Sequence, residues 1–457
     1  MSPRPDRRAR RDRLKFASLR ESVAERLWPL PVAAVIVAVI LGILIPLIDD
    51  RADAGLVAPW GAALFSGGPE AARAVLSAVA GSLIAATTLT FSLTVVALQL
   101  ASSQASPRVL RMFARDPVVH RTLAVFLGTF AFSLTVLRTV RNAGDDPAAV
   151  PRIAITLAFV LTLTSVVMLV LFLAHLARQI RIETVLRDVH EETDATIALV
   201  ASTDETNRDA QIAMAVPERS DRAAPVPAPR SGFLTASDRE RLVSVAVRHD
   251  LVIEEARAIG ANLVEGTPVA FWWPRDDARQ IPDEATIAAE IGRAFSIGYE
   301  RTPTQDIGFG LRQLADIALR GVSPGVNDPT TAVHALGHTA AVLCDLARLP
   351  EQAPVLTGAD NVARVIVRTH EFAALLELGV GQVRRYGRGD PDVVTRLYQL
   401  LREVAYRALR DPDREAVIAQ RARLDDSVAG VDYDEVERSR FSAMSAAVDA
   451  AAAGRWD

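Results

Sequence analysis

His334 and His338 lie four residues apart in "PTTAVHALGH", which puts both imidazoles on one face of a helix at the spacing of a two-histidine metal pair. Metal chemistry needs more than the pair. No glutamate stands between them as an HExxH site requires, the nearest further ligands along the chain are Asp328 and Asp345, and Thr369, His370 and Glu371 belong to a segment that the sequence does not bring near. Two histidines on an amphipathic helix are ordinarily surface or packing residues, so no metal or other cofactor is assigned. Just upstream, "SPGVNDPTTA" gathers Asn327, Asp328, Thr330 and Thr331. Pro324 and Gly325 stop one helix, Asp328 stands at the N-cap of the next and Pro329 at its first position. Asn327, Thr330 and Thr331 exceed what capping needs, and beside free N–H groups they make a corner suited to a small anionic ligand or a protein partner. The competing reading is a well-built turn, in which these side chains satisfy carbonyls stranded at the end of the first helix.

A third set is neutral. "AVLSAVAGSLIAATTLTFSLTVVALQLASSQASP" carries no charge from Ala74 to Pro107. Ser77, Gly81 and Ala85 recur every four residues and form a face on which another helix can approach closely. Past them, Thr87, Thr90 and Thr94 make one polar stripe, and Thr88, Ser92, Gln99 and Ser103 make another on roughly the opposite side, at about 100° per residue. Hydroxyls bonding to carbonyls one turn back explain such residues without function. The functional reading packs one stripe in a bundle and lines a hydrated path with the other, around an oligomer axis.

The elements that must position these residues fall into two classes. The 457 residues are 50% hydrophobic, the pattern of a membrane part joined to a non-membrane part. Four charge-poor stretches, about 28–48, 75–100, 121–138 and 152–177, are long enough to cross a hydrocarbon core, which needs about 20 helical residues. The first could be mistaken for a signal peptide ending at Ala52-Asp53-Ala54, but its apolar run is too long, and we read a retained anchor. No Asp, Glu, Lys or Arg sits in the middle of a span, so a proton relay or voltage sensor lacks its usual residues.

Arginine asymmetry sets the orientation. Arg4, Arg7, Arg8, Arg10, Arg11, Arg13, Lys15, Arg20 and Arg26 crowd the N-terminus, and Arg108, Arg111 and Arg115 the second loop, whereas the first loop holds Asp49, Asp50, Asp53 and Glu70 with only Arg51 and Arg73. The positive-inside rule then expects residues 1–27 in the cytoplasm, a transmembrane domain over 28–178, and both termini cytoplasmic in a bacterial inner membrane. The basic run suits anionic headgroups before an apolar span, not nucleic acid. Lys15 is the only lysine, which removes Schiff-base and lipoyl-lysine chemistry from nearly the whole chain, and the single Cys344 forms no internal disulfide.

Beyond the spans, Ile182, Val185, Leu186 and Val189 continue an amphipathic helix. We expect residues 179–230 to be a stalk followed by a mobile linker with Pro225, Pro227 and Pro229, and 231–457 to be a cytoplasmic domain. There "SGFLTA", "LVIEEARAI" and "LVEGTPVAFWW" read as strands, "SDRERLVSVAVRHD" as a helix capped by Ser237, and Trp272 and Trp273 as closing a small core. The turns around Gly260 and "EGTPVA" resemble those of small lipoyl-like folds, though no lysine is there to carry a group. From 283 helix dominates, with long stretches at 359–386 and 391–410. The fold class is an α-helical membrane bundle of four transmembrane helices followed by a cytoplasmic α+β, mostly helical domain.

"AGSLIAATTLTFSLTVVALQLASSQASPRVLR" (80–111), "FLGTFAFSLTVLRTV" (126–140) and "ERTPTQDIGFGLRQLADIALRGVSPGVNDPTTA" (300–332) together resemble a family of bacterial predicted membrane proteins catalogued as a domain of unknown function. The resemblance covers most of the chain and implies a multi-span protein with a cytoplasmic domain. It supplies no reaction and no catalytic residue. No phosphate loop, nucleophile elbow or dinucleotide motif is present, so no catalytic residue is assigned. The sequence points to a homo-oligomeric, channel-like transport protein in the lipid bilayer, gated or assembled by its cytoplasmic domain. The alternative is a membrane-anchored sensor or scaffold built around 300–332, and a membrane-bound hydrolase comes third.

Overall fold

The computed structural model describes residues 28–52, 65–104, 116–140, 150–179, 181–203, 214–276, 283–349 and 354–456. The basic N-terminus, the loop arginines Arg108, Arg111 and Arg115, and residues 204–213 lie outside this set. The chain divides into two compact units, Met1–Thr184 and Val185–Asp457.

The N-terminal unit holds four long apolar helices: α1 (Pro29–Ala52), α2 (Pro69–Gln104), α3 (Pro117–Thr139) and α4 (Arg152–Gln179). All four are long and apolar enough to cross a membrane, where helices are favoured because they satisfy every backbone group internally. Half of the α3 window is buried, against 22% or less in the other three, so α3 is the interior helix. It starts at Asp116, whose carboxylate accepts from the Val118 N–H, with Pro117 in the first turn. Ala38, Leu76, Phe132, Val136 and Ile155 bring all four helices into one core cluster. The closest approach is between α1 and α3, where a Cβ on Gly42 would come within 2.8 Å of the Thr135 Cβ, and Gly128 faces Ala34.

The C-terminal unit opens with α5 (Ile182–Thr203), then mixes short strands and helices. A five-stranded sheet has the order β1-β5-β3-β8-β7 and a three-stranded sheet the order β4-β2-β6. These strands are β1 (Ala224–Pro227), β2 (Gly232–Ser237), β3 (Leu251–Glu255), β4 (Asn262–Leu263), β5 (Pro268–Pro274), β6 (Phe295–Gly298), β7 (Val355–Thr357) and β8 (Ala363–Ile366). Helices α6 (Arg239–His249) and α7 (Glu284–Gly292) cover them, and Leu242, Val245, Ile253, Trp272, Ile291 and Val365 share one core. Trp272 and Trp273 are both buried, as expected. Six helices complete the unit: α8 (Ile307–Gly321), α9 (Pro329–Ala347), α10 (Phe372–Gly387), α11 (Pro391–Arg407), α12 (Asp411–Ala429) and α13 (Glu435–Ala452).

Three expectations need correction. The proline-rich stretch read as linker contains β1, an edge strand paired antiparallel with β5. Pro225 and Pro227 fit there because an edge strand leaves one row of N–H groups unused. Ser237 does not cap α6. It ends β2, paired with Phe295, and gives its hydroxyl to buried Glu255 at 2.6 Å, while Asp238 accepts from the Arg241 N–H as the cap. The stretch from 359 is not helical at its start, since β8 pairs parallel with β3 through Val365 and Ile253. Its run of β-branched residues is stable only because a non-local strand receives it.

Candidate functional site

On α2 the two polar stripes face different surroundings. Leu76, Val79, Leu83 and Thr90 are buried, and Thr87 and Thr94 are half-buried beside them. Ser77, Gly81, Ala85, Thr88, Ser92 and Gln99 are exposed on the other side. At about 100° per residue these six fall within an arc of roughly 80°, so the small face and the outer polar stripe are one surface running along the helix. The sequence reading had kept them apart. Ser103 continues the register, but its side chain lies outside the described residues. Ile84, Phe91 and Val95 border the surface on one edge, Leu89 and Val96 on the other, and all five are exposed.

The hydroxyls are partly satisfied within the helix. Thr87 donates to the Leu83 carbonyl at 2.7 Å, Thr88 to Ile84 at 2.9 Å and Thr94 to Thr90 at 2.8 Å. This back-bonding settles the O–H and leaves oxygen lone pairs facing outward at Thr88. Buried Thr90 is different, because its hydroxyl finds no partner. A Cβ on Gly81 would meet nothing within 4 Å, in contrast to Gly42. The close approach that small residues permit is therefore used within the chain at Gly42 and Gly128 and left open at Gly81.

At one end of the same unit a polar cluster joins α3 and α4. Asp116 is buried. Besides capping α3, its Oδ2 lies 2.5 Å from His175 Nε2 and accepts from the Gln179 amide at 3.2 Å. The absence of charge in mid-span had hidden this pair, whose members sit at span ends and are 59 residues apart.

The 300–332 segment proves to be densely cross-braced. Arg301 grips buried Asp306 bidentately at 2.7 and 2.8 Å, and Asp306 also accepts from the Phe309 N–H to cap α8. Thr196 of α5 donates to the Pro303 carbonyl at 2.8 Å. Gly310 has no Cβ because Thr193 of α5 occupies that space. This motif seats α5, which in sequence is separated from the fourth span by two residues. The sequence signal was there in Gly310 and in the small Thr193, but it is legible only once α5 and α8 are known to touch.

The corner itself is exposed. Asp328 caps α9, accepting from the Thr331 N–H at 3.1 Å and the Thr331 hydroxyl at 2.6 Å, and these bonds hold its carboxyl below the usual range. Asn327 takes a left-handed φ of 49°, a conformation asparagine tolerates. The carbonyls at the end of α8 are met by backbone N–H groups, with Asp328 N–H donating to Gly321 at 2.8 Å, and by the Ser323 hydroxyl on Arg320. Asn327 and Thr330 are exposed.

The two histidines separate. His334 is exposed, while His338 is half-buried and meets the ring of His190 on α5 edge to face at 5.1 Å. Among the described residues no three His, Cys, Asp or Glu side chains are grouped to hold a metal ion. Burial pushes the Cys344 thiol up to about 12, which removes it as a nucleophile near neutral pH.

A family described as "Predicted membrane protein (DUF2254)" matches residues 24–403. An uncharacterized protein of Mycobacterium bovis and one of Mycobacterium tuberculosis strain H37Rv are each 36% identical over 360 residues, which cover 78% of this chain and 67% of theirs. No solved structure matches the chain.

Proposed function

The chain belongs to this family of predicted membrane proteins, and from that premise we propose that it is a homo-oligomeric, channel-like protein of the bacterial inner membrane. Copies meet along α2, both termini are cytoplasmic, and the C-terminal unit gates or assembles the path from the cytoplasm.

The observation that carries this reading is the continuous outward surface of Ser77, Gly81, Ala85, Thr88, Ser92 and Gln99. Burying an amide or hydroxyl in an apolar medium without a partner costs roughly 2–7 kcal/mol, so Gln99 and Ser92 are poor lipid-facing residues. Gly81 offers nothing to lipid and close approach to a helix. A second copy supplies the same surface in reverse or around an axis, with small residues packing at one level and hydroxyl and amide groups left at another. The path so lined is neutral, without a ring of charge, and passes small polar solutes or ions by replacing water contacts with Thr, Ser and Gln oxygens.

The tests are cross-linking and flux. With Cys344→Ser as background, Gly81→Cys is expected to form disulfide-linked dimers in native membranes, and reconstituted protein is expected to release a small polar solute from liposomes. Gly81→Cys that stays monomeric would overturn the assembly. Liposomes that remain sealed while cross-linking succeeds would instead favour the second reading, a membrane-anchored sensor or scaffold. That second reading draws on a separate observation, the seating of α5 by the 300–332 motif.

A further inference from the structure

Helix α5 buries Val185, Leu186, Val189 and Ile197, and its polar contacts lie on the same side. Thr193 fills the space at Gly310, Thr196 bonds Pro303, and His190 meets His338 of α9. Apolar burial favours this seat at every pH. Two imidazoles set against each other do not add to it in both charge states, which makes them the conditional part of the seat.

The geometry around the rings is incomplete in an informative way. His190 Nε2 lies 3.1 Å from Asp194 Oδ2, leaving His190 Nδ1 and Asp194 Oδ1 buried without a partner. A proton has somewhere to go here. The groups acting on His338 are His190 and Asp194 from α5 and His334 from its own helix. Asp194 is acted on by His190 and Glu191 of α5 and by Asp345 and His338 of α9. Elsewhere on α9, α11 brings Glu403, Arg396 and Arg407 to Cys344, and α10 packs Gly379 against Thr339. Gly310, where α8 meets α5, carries no charge.

We propose that His190 and His338 form a proton-operated latch that holds α5 on α9 near neutral pH and releases it on acidification. The first proton on the pair is welcomed by Asp194. A second would set two imidazolium rings in contact within a half-buried site, at the energy of like charges a few ångströms apart.

The direction follows from linkage. Burial, with the neighbouring imidazoles His190 and His334, holds His338 below the usual histidine range. A base depressed in the docked state binds fewer protons there than when free, so docking is full above the ordinary histidine value of about 6.5 and is lost as pH falls through it. Asp194 works the other way, since burial raises its carboxyl. Its carboxylate opposes docking above its own titration and stops opposing it once protonated, so Asp194→Asn separates its effect from that of His338.

Hydrogen exchange of the full chain in detergent micelles tests this, with rates corrected for intrinsic pH dependence and α12 as an internal reference. Protection of α5 is expected to fall several-fold between roughly pH 7.5 and 5.5, up to the limit of about tenfold that one histidine with a free value near 6.5 allows at the lower pH. His338→Gln should keep α5 protected across that range. Asp194→Asn, which removes the carboxylate that shelters the first imidazolium, should move opening to higher pH, and it provides a second readout if His338→Gln does not fold. Wild-type protection that ignores pH, or a His338→Gln chain that opens as the wild type does, would overturn the latch. A change in α5 protection on adding zinc or a chelator at fixed pH would overturn it in favour of a metal site.

Discussion

In the C-terminal unit polar side chains meet one another inside the chain, whereas along the outer face of α2 they do not. Arg301 and Asp306 pair bidentately, Arg364 joins Asp250 and Asp360, and Arg384 reaches Ser427. Arg364 with Asp250 and Arg384 with Ser427 link segments 114 and 43 residues apart, while Arg301 with Asp306 and Arg364 with Asp360 brace the chain locally. On α2 the outward groups are neutral, the Thr88 hydroxyl turns back to its own helix, and a Cβ added to Gly81 would meet nothing within 4 Å. The first arrangement finds these partners within one chain. The second is open to the surroundings of the chain, and that contrast separates residues braced by the fold from residues exposed outside it.

The sharpest way to break the comparison is at the buried pair. Asp306→Ala removes a bidentate partner of Arg301 and the cap of α8, and it should cost about 2–4 kcal/mol of stability through lost charge-assisted hydrogen bonds and the lost cap, measured as a lowered unfolding midpoint of the full chain. A near-neutral result would mean that the internal pairs are not what holds this unit.

The next effect sets two glycines of the membrane helices against each other. Gly42→Leu drives a side chain into Thr135 and should destabilise the folded monomer by about 1–3 kcal/mol. Gly81→Leu places its Cβ where no atom of the same chain lies within 4 Å and should leave the monomer's thermal midpoint unchanged while reducing oligomer recovered in mild detergent. Equal destabilisation by the two would erase the distinction between inner and outer small residues.

A smaller effect is expected at the exposed corner. Asp328→Ala should lower stability by about 1 kcal/mol through the lost cap. Because hydrogen bonds from Thr331 depress its carboxyl, that contribution is present above the free carboxylate value and fades as pH falls below it, which acid titration of the melting temperature would record. Asn327→Ala and Thr330→Ala should stay within about 0.5 kcal/mol of wild type, as exposed substitutions do. A phenotype or binding loss without a stability change would assign them to a ligand or partner.

The smallest effect on folding should accompany the largest on flux. Thr88→Val, Ser92→Ala and Gln99→Leu are each expected within about 0.5 kcal/mol of wild type in monomer stability. In liposomes they should slow solute release together, and unaltered release in the triple variant would remove α2 from the path.

The sequence alone carried the four membrane helices, the helix-rich α+β C-terminal part and the capping of α9 by Asp328, for a common physical reason. Length of apolar run, helical period and N-cap chemistry are local properties, readable over one or two turns. Even the union of Ser77, Gly81 and Ala85 with Thr88, Ser92 and Gln99 was latent in helical geometry and needed only one wheel for all six. Other features were decided by residues far apart in the chain. Pro225 and Pro227 became an edge strand because β5 was there to pair with, and Val365 became part of a strand because Ile253 received it. His175 found Asp116, and His338 found His190 rather than His334. A side chain's own spacing states which neighbours it has along its helix, but the charge, burial and partners that determine its chemistry come from the helix packed against it, and only tertiary structure chooses that helix.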